Sequence, residues 1–481
     1  MHTYIYNVFI QYKNMPLPLK VSFWYFVCML VSKGVALITT PLFTRILSTG
    51  DYGMVSVYNS WQSIIGIFVT FGLSNSVFNV GLVKFDKDKN NFNSAMIGLL
   101  LLSLVVSSFI IMVTYDALRQ LFQLDSKYII AMLLTSFFSC LQSMWLLRKR
   151  MEYDYRWMTI LTLSSSFLQV ILSILLVMYA SDKAFAKVMG ASIVIGLIGV
   201  YCFINIVRNN YHLFDKKYWL FALKYNFPML PHFLAGIILN QVDRVMIQKM
   251  VGLNEAGIYT VAYNGAMVIY IINNALYASY NPWLLKRLQA KRYDKIDKIV
   301  NYIMLIYLLP LLFLILFAPE VIKVLAPMEY YEGVYVIPPV ACSMFFILLF
   351  NMFAPVEHFS LKTKFLGGAS IVAAIANIVL NYVFIRSCGY LAAGYTTLAC
   401  YILYAFAHWC YMKKSCKQIM GNNIFNDKVI LLLSLGVVII SLLSTFFYQY
   451  PIVRYCLLIA VILLAAFKFR SIKKILYEIK K

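Results

Sequence analysis

The sequence predicts an all-α polytopic membrane protein with about fourteen transmembrane helices. Only 13% of its 481 residues are charged and 62% are hydrophobic, whereas a soluble domain carries about 25% charged residues. Hydrophobic runs long enough to cross the hydrocarbon core as helices recur along the whole chain. Lysine and arginine are concentrated between these runs. Together these observations exclude a string of soluble domains and favour a helical membrane bundle.

The predicted spans are placed by hydrophobicity and length. They lie near 21–44, 54–82, 93–114, 128–147, 157–180, 185–207, 228–248, 257–283, 299–322, 334–360, 365–385, 389–412, 429–448 and 455–467. The second and tenth exceed the roughly twenty residues that a span needs, so we expect them to tilt or protrude. The last span is short.

The distribution of basic residues orients the chain. With the N-terminus inside, the inner segments hold 31 of the 42 lysines and arginines and the outer segments hold nine, which leaves Lys33 and Arg244 within spans. This bias follows the positive-inside rule, and one span wrongly added or dropped would scramble it. We therefore expect both termini in the cytoplasm. The formal charge of +23 then reflects membrane orientation, and no nucleic-acid partner is predicted.

The chain carries no recognisable motif for catalysis or for a cofactor. It has no P-loop, no HExxH and no GxSxG sequence, the patterns that mark nucleotide, zinc and serine-hydrolase chemistry. Its nine cysteines are scattered without a CxxC pair or the Cys/His spacing of zinc ligands, so we interpret them as small apolar side chains. We expect no metal, no cofactor and no enzymatic activity.

A weak internal repeat appears when the sequence is displaced by 204 residues. Arg45–Gly53 then falls on Lys249–Gly257, so that a base, an acid and a glycine coincide. Each copy connects the first and second spans of its half. The displacement covers six spans, an even number, so the two halves run in the same direction through the membrane. Parallel repeats of this kind are a transporter architecture with the substrate site between the halves.

The repeat and the spans divide the chain into five segments. We predict a cytoplasmic N-terminus at 1–20, which lacks the pattern of a cleavable signal. A six-helix N-lobe follows at 21–207 and a pseudo-symmetric six-helix C-lobe at 208–412. Two further helices occupy 413–467. The basic cytoplasmic tail 468–481 mixes lysines with apolar residues, a pattern typical of an amphipathic helix on the anionic lipids of the inner leaflet.

The most polar stretch within a predicted span begins at Asn240. One side of its helical wheel, about 160° wide, is formed by Asn240, Gln241, Asp243, Arg244 and Gln248. Charges at membrane depth cost at least about 2.5–3.5 kcal/mol each, and most of them face an interior cavity. Asp243 and Arg244 point about 100° apart, so each needs its own partner. The alternative is that neighbouring helices satisfy both charges and the stretch only holds the bundle together.

Other polar residues also lie within predicted spans. Lys33 is roughly 18 Å below the outer end of its span at about 1.5 Å per residue, so we expect it to face a cavity rather than to snorkel to the surface. Asn75 either lines a cavity or makes interhelical hydrogen bonds. Glu357 and His358 are candidates for ion coupling together with Asp243, although an interfacial position of the first two is the simpler interpretation.

Several of these segments resemble a known family. Pro41–Leu47 followed by Asp51–Gly53 resembles the first-loop signature of bacterial Wzx-type polysaccharide flippases, which belong to the multidrug/oligosaccharidyl-lipid/polysaccharide exporter superfamily. Asp243–Ile247 followed by Gly252 and Gly257–Tyr259 is similar to the seventh-helix region of the same group, and Asn281–Lys286 to the end of its eighth helix. In length, span count and two-lobe repeat, the resemblance covers the whole chain.

The resemblance implies a MATE-like, V-shaped bundle of two six-helix lobes with two additional helices. It implies a flippase that carries undecaprenyl-diphosphate-linked oligosaccharide across the bacterial cytoplasmic (inner) membrane by alternating access, for O-antigen, capsule or another glycan. Other membrane proteins of polysaccharide assembly are then candidate partners. Buried cations could replace the water around a diphosphate, and amides could bind sugar hydroxyls. The predicted substrate-binding residues are Lys33, Asn75, Asn240, Asp243, Arg244 and Gln248.

Two alternatives stay open at this point. A multidrug or cation antiporter of the same superfamily would want a cavity dominated by carboxylates, whereas Asp243 is the one clear acid in the middle of a predicted span. A membrane polysaccharide polymerase would be expected to place catalytic groups on a substantial outside loop, and the predicted outside loops are short. Since no nucleotide motif is present, we expect coupling to an ion gradient.

Overall fold

The computed structural model describes residues 15–209, 211–359 and 364–463. Within these ranges the regular secondary structure is helical and no β-strand occurs, which confirms the predicted all-α class. The predicted basic tail at 468–481 lies outside the described residues, as does most of the predicted N-terminal segment 1–20.

The helices follow one another through short connections. They are α1 (Leu17–Ile46), α2 (Thr49–Thr70), α3 (Val77–Lys84), α4 (Lys89–Val113), α5 (Tyr115–Phe122), α6 (Ser126–Met151), α7 (Tyr155–Tyr179), α8 (Lys183–Asn209), α9 (Lys216–Asn226), α10 (Leu230–Met250), α11 (Leu253–Ala266), α12 (Ile269–Gln289), α13 (Ile296–Leu316), α14 (Ala318–Leu325), α15 (Ile337–Phe359), α16 (Lys364–Cys388), α17 (Ala392–Met420), α18 (Asp427–Ser444) and α19 (Pro451–Leu463). Segments of 3₁₀ helix occupy Asp86–Asp88, Phe227–Met229, Met328–Val336 and Thr445–Gln449.

Each predicted span coincides with helix in the part of the chain that the structure describes. By length and composition, nine helices of that part are long and apolar enough to cross a membrane, namely α1, α4, α6, α7, α8, α13, α15, α16 and α18. The other predicted spans coincide with helices that are interrupted, shorter or more polar. The chain is therefore a multi-pass helical membrane protein.

Three predicted spans turn out to be two helices each. In the span predicted at 54–82, α2 ends at Thr70 because Phe71 and Gly72 adopt the left-handed conformation, with φ of 51° and 60°. Helix α3 begins at Val77. The spans predicted at 257–283 and 299–322 are divided as well. Hydrophobicity alone places a span and does not report a local break in its helix.

By its contacts the chain divides into two compact units. Unit 1 comprises Met1–Leu47 and Met54–Leu234, and unit 2 comprises Ser48–Gly53 and Ala235–Lys481. The short segment Ser48–Gly53 therefore belongs with the second half of the chain, although both of its flanks belong to the first. The predicted boundary between lobes, at 207/208, falls near the end of α8 and stays a prediction.

An aromatic core holds the helices of unit 1 together where α3, α4 and α9 meet. Phe92 is fully buried and packs against the rings of Phe78, Phe85 and Tyr218. Aromatic pairs of this kind contribute about 0.5–1.5 kcal/mol each beyond their buried area. Elsewhere in unit 1, α8 packs against both α6 and α7, and α1 packs against α7.

Helix α15 is central to unit 2. It packs against α12, α13, α17 and α18, and most of its side chains are buried. The amide of Asn273 on α12 donates a hydrogen bond to the Met344 carbonyl over 3.2 Å and accepts one from Asn351 over 2.9 Å. The hydroxyl of Tyr307 on α13 donates to the same carbonyl over 3.2 Å. Bonds of this kind average about 0.6 kcal/mol in membrane proteins, and here they fix two neighbours against α15.

The internal repeat has a physical counterpart at Gly53 and Gly257. A Cβ atom on Gly53 would lie 1.9 Å from the carbonyl oxygen of Leu253, and one on Gly257 would lie 2.2 Å from the carbonyl oxygen of Thr49. Thr49 and Leu253 are themselves 204 residues apart, so the two contacts are reciprocal. Both positions exclude a side chain, and glycine alone lets the first turns of α2 and α11 approach this closely.

Candidate functional site

Asp243 is fully buried in α10 and accepts three hydrogen bonds from neighbouring helices of unit 2. The donors are the Tyr259 hydroxyl at 2.7 Å, the Asn381 amide at 2.8 Å and the Thr397 hydroxyl at 3.0 Å. The Thr396 hydroxyl donates in turn to Oδ1 of Asn381. Burying a carboxylate without such partners would be strongly unfavourable. Three helices, α11, α16 and α17, therefore converge on one acid.

Arg244 has different partners from its neighbour in sequence. Its guanidinium donates to the carbonyl oxygen of Asn240, one turn earlier, and lies 4.0 Å from the centre of the Tyr263 ring. The side chain is only 4% exposed. Both contacts suit a desolvated guanidinium, because an aromatic face attracts the cation and a carbonyl oxygen accepts a hydrogen bond from its N–H group. The geometry thus confirms that Asp243 and Arg244 need separate partners.

The remaining polar residues of this stretch are also engaged within unit 2. Asn240 accepts a hydrogen bond from the Tyr401 hydroxyl over 3.2 Å and donates one to the Gly236 carbonyl over 2.8 Å. Gln248 is 8% exposed. This arrangement favours the alternative in which the polar side of α10 holds the bundle together. Substrate contact by these residues stays a prediction.

The Asp243 network combines one buried carboxylate with hydroxyl and amide donors. A buried carboxylate surrounded by amide and hydroxyl groups can exchange a proton, or a small cation that prefers oxygen ligands, for hydrogen-bond donors. Among the described residues, no group of three His, Cys, Asp or Glu side chains could hold a metal ion. A role of Asp243 in ion coupling stays a prediction.

A second buried acid joins α15 to α17. Glu357 and His408 are both 0% exposed, and Nδ1 of His408 lies 2.8 Å from Oε2 and 3.0 Å from Oε1 of Glu357. The rings of Phe350 and Tyr404 contact the imidazole edge-on. The sequence favoured an interfacial position for Glu357 and His358. Of the two, His358 is exposed, whereas Glu357 is buried and has His408 on the adjacent helix as a partner.

Lys33 and Asn75 lie in unit 1. Lys33 is exposed on α1 and is not a lining residue of either cavity described below. Its predicted role in substrate binding therefore stays a prediction. Asn75 is exposed in the break between α2 and α3, where it lines a cavity. Of the two interpretations left open for Asn75, the structure favours cavity lining.

Unit 1 contains a polar cavity of about 350 Å³ between α2 and α6, called the serine cavity here. Its lining side chains are mostly hydroxyls and amides and none is charged; they include Asn59, Gln62, Ser74, Ser136, Ser139 and Ser143. The buried hydroxyl of Ser136 has no hydrogen-bond partner within the described ranges. Buried polar groups are usually satisfied, so this hydroxyl is available to a ligand or a water molecule.

A second cavity of about 420 Å³ adjoins the first and shares Ser74 and Ser143 with it. We call it the Arg150 cavity, because Arg150 is its one charged lining residue among the residues described. Non-helical backbone at membrane depth is tolerated where it lines a cavity. The left-handed pair Phe71–Gly72 opens α2 immediately before Ser74 and Asn75, and so turns these two side chains to the cavity.

Sequence reasoning missed both cavities. A serine inside an apolar span commonly bonds to its own helix, so Ser136 and Ser143 carried no distinguishing signal. One signal was present at 71–76, where Phe-Gly-Leu-Ser-Asn-Ser places a glycine and three polar residues inside a predicted span. Glycine within an otherwise regular element often marks a break.

The fold and these polar interiors define a multi-pass membrane protein of the MATE-like class. The chain is similar in structure to the lipid II flippase MurJ in its inward closed conformation, with a TM-score of 0.68 and 15% identity over 93% of this chain and 99% of that chain. It is also similar to a multidrug resistance MATE family transporter of the MOP superfamily in the inward-facing conformation, with a TM-score of 0.59 and 13% identity over 82% and 96%. A point mutant of the MATE transporter VcmN of Vibrio cholerae gives a TM-score of 0.56 at 11% identity over 85% and 97%.

The chain belongs to the polysaccharide biosynthesis protein family, whose model matches residues 19–280. No curated protein matches it. The predicted resemblance to the flippase superfamily is thereby confirmed at the level of family and fold.

Proposed function

We propose that the protein is a flippase for undecaprenyl-diphosphate-linked oligosaccharide repeat units in the bacterial cytoplasmic membrane. The observation that carries this proposal is the pair of cavities in unit 1. Their lining offers hydroxyls and amides, and includes one cation and no carboxylate among the described residues. Neutral hydrogen-bonding groups suit sugar hydroxyls, and a guanidinium suits phosphate.

The family and fold support a transport function of this kind. The polysaccharide biosynthesis family model matches more than half of the chain, and one protein of the same fold is described as a lipid II flippase. The proposal includes cytoplasmic termini, contact of the basic tail with anionic lipids, and other membrane proteins of polysaccharide assembly as partners. It also includes alternating access as the mechanism.

Moving a diphosphate across the hydrocarbon core of the membrane needs a source of energy. We propose that an ion gradient supplies it. Asp243 and Glu357 are buried acids in unit 2, each with hydrogen-bonding partners on other helices. When a carboxylate binds or releases an ion, the hydrogen bonds that it accepts from its neighbours change. Ion binding could therefore bias the packing of α10 or α15. His358, the third residue proposed for ion coupling, is exposed next to Glu357.

A multidrug or cation antiporter is the second candidate, because the buried acids Asp243 and Glu357 are the kind of group that binds a cation. The cavities in unit 1 argue against it. Their described lining offers a cationic drug no carboxylate, and burying a cation without a counter-charge is unfavourable. An organic cation would therefore have to bind elsewhere.

The test uses full-length purified protein in liposomes that contain a fluorescent polyprenyl-diphosphate disaccharide in one leaflet. Under an imposed proton or sodium gradient and without ATP, we expect the probe to move to the other leaflet and become protected from a membrane-impermeant quencher. Empty liposomes are the control. Absence of movement under every gradient, together with gradient-driven efflux of a cationic dye, would replace the flippase by the antiporter.

A further inference from the structure

Arg150 differs from the two basic residues that precede it on α6. The Arg148 guanidinium pairs with Glu152 over 2.7 Å and donates to Asn90 over 2.7 Å, and the Lys149 ammonium pairs with Asp154 over 3.0 Å. Arg150 is exposed, and no ion pair to it occurs among the residues described. Two of the three charges are thus neutralised locally, while the third remains available.

The guanidinium of Arg150 is held in place by an aromatic ring. Its central carbon lies 4.3 Å from the centre of the Tyr25 ring on α1, within the range of a cation–π contact. Stacking leaves the edge of the guanidinium, which carries its N–H donors, free for a ligand. A planar fork of donors fixed in this way matches the oxygens of a phosphate.

The rest of the cavity around Arg150 offers neutral hydrogen-bonding groups. Ser32, Ser74, Asn75 and Thr162 line it, and Ser74 also lines the serine cavity. The volumes of about 420 and 350 Å³ fall in the range of pockets that enclose small ligands. One cation together with several hydroxyl and amide groups suits a ligand with an anionic group attached to a polyol.

We propose that Arg150, positioned by Tyr25, binds the phosphate of a lipid-linked glycosyl diphosphate, and that the sugar next to this phosphate lies in the Arg150 cavity. This inference rests on the proposed function and names a site for its substrate. It adds Arg150, a residue of unit 1, to Lys33 and Arg244, the two cations that the sequence predicts to bind the substrate. The buried guanidinium of Arg244 is already engaged by Asn240 and Tyr263, so it is less available to a ligand than the exposed Arg150.

The test compares binding of three probes to the detergent-solubilised full-length protein. They are a polyprenyl-diphosphate disaccharide, the same disaccharide on the same lipid through a phosphate-free ether, and phosphatidylglycerol as a competitor. For Arg150→Gln we expect at least about a tenfold loss of affinity for the diphosphate probe, because a charge-assisted bond is lost. Affinity for the phosphate-free probe should be unchanged. Arg150→Lys should recover part of the loss.

Two further variants separate positioning from charge. Tyr25→Leu keeps Arg150 but removes the ring, so we expect a loss of a few-fold for the diphosphate probe, and Tyr25→Phe should bind like the wild type. Arg156→Gln is the matched control, because Arg156 is an exposed arginine at the start of α7 that lines neither cavity. It should leave the affinity unchanged.

Equal losses for Arg150→Gln and Arg156→Gln, or full affinity in Arg150→Gln, would overturn the assignment of the phosphate to Arg150. Competition by phosphatidylglycerol as strong as that by the diphosphate probe would overturn it as well, since Arg150 would then contact bulk lipid headgroups. These failures leave translocation by the wild type intact. A wild-type protein that neither binds nor moves the diphosphate probe would instead remove the proposed function and this inference together.

Discussion

The Thr49 hydroxyl donates a hydrogen bond to Oδ1 of Asn254 over 2.8 Å, although 205 positions separate the two residues. Thr49 begins α2 and Asn254 lies in the first turn of α11. Two residues in direct contact lie on the same side of the membrane. This contact therefore agrees with the parallel repeat, which puts the first loop of each half outside.

The first prediction concerns this topology. A cysteine at Thr49 or Asn254 should react with an impermeant thiol reagent from outside the cell, and a cysteine at Lys89 or Arg292 should react from the inside only. The native cysteines at 388, 410 and 456 are exposed, so all three must be replaced first. Labelling of Thr49 and Asn254 from opposite sides would contradict the parallel repeat.

A second prediction follows from the reciprocal glycines. Gly53→Ala and Gly257→Ala should each destabilise the protein markedly, because the new methyl group would lie 1.9 or 2.2 Å from a carbonyl oxygen of the facing helix. Gly436→Ala is the matched control, since a Cβ there meets nothing within 4 Å. Alanine in an open helix position should be neutral or stabilise by about 0.5–1 kcal/mol. Thermal unfolding of the purified variants measures all three, and equal melting temperatures would contradict the close helix contact.

The Asp243 network gives the third prediction. Asp243→Asn keeps the size of the side chain. It places an amide NH₂ group, which is itself a donor, next to the donors that bonded to the carboxylate. We expect a loss of stability on the order of 1–3 kcal/mol, together with loss of gradient-driven transport. Tyr259→Phe removes one of three donors and leaves the charge, so its transport should persist. Transport is measured in liposomes and stability by thermal unfolding. A transport-competent Asp243→Asn protein would exclude Asp243 from coupling.

The fourth prediction separates function from packing at Arg244. If the charge serves the substrate, Arg244→Ala and Lys33→Ala should abolish polysaccharide complementation at normal membrane abundance, and Arg244→Lys should remain partly active. If Arg244 only holds the bundle together, Arg244→Ala should reduce the amount of protein itself. Tyr263→Phe is a suitable control, because it retains the aromatic face that the Arg244 guanidinium contacts. Complementation and membrane abundance are measured in the same cells.

The fifth prediction concerns Glu357 and His408. Removing one partner of a buried pair leaves the other without its main contact, at a cost of about 3–5 kcal/mol, whereas replacing both by apolar side chains is often neutral. We therefore expect Glu357→Leu and His408→Leu to lower the melting temperature more than the double variant does. A double variant at least as unstable as the sum of the two single variants would show that the pair is not coupled.

The helical class could be predicted because hydrophobicity acts over whole spans, whereas the orientation inferred from the basic residues stays a prediction. Breaks in single helices depend on a few dihedral angles, so the left-handed pair at Phe71–Gly72 was hidden inside an apolar window. The separate partners of Asp243 and Arg244 followed from helical geometry alone. The identity of those partners did not, because Asn381 and Thr397 lie more than a hundred residues away.

The candidate site shows the same limit. Glu357 was visible as an acid in a span, yet its burial required a histidine on another helix, and nothing near His408 in sequence points to it. Arg150 contributed only to the count of inner positive charges. Its stacking on Tyr25 of α1 and its place in the lining of the Arg150 cavity are properties of tertiary packing, which no local pattern reports.

The segment Ser48–Gly53 also has a consequence for biosynthesis. The ribosome makes Gly53 204 residues before Gly257, an interval of roughly 10–40 s at about 5–20 residues per second. Throughout this interval the first turn of α2 lacks the first turn of α11, against which Gly53 packs. The close contact between the first turns of α2 and α11 can therefore form only after α11 has been made. The helices of unit 1 can pack against one another during this interval, but the first turn of α2 waits for α11.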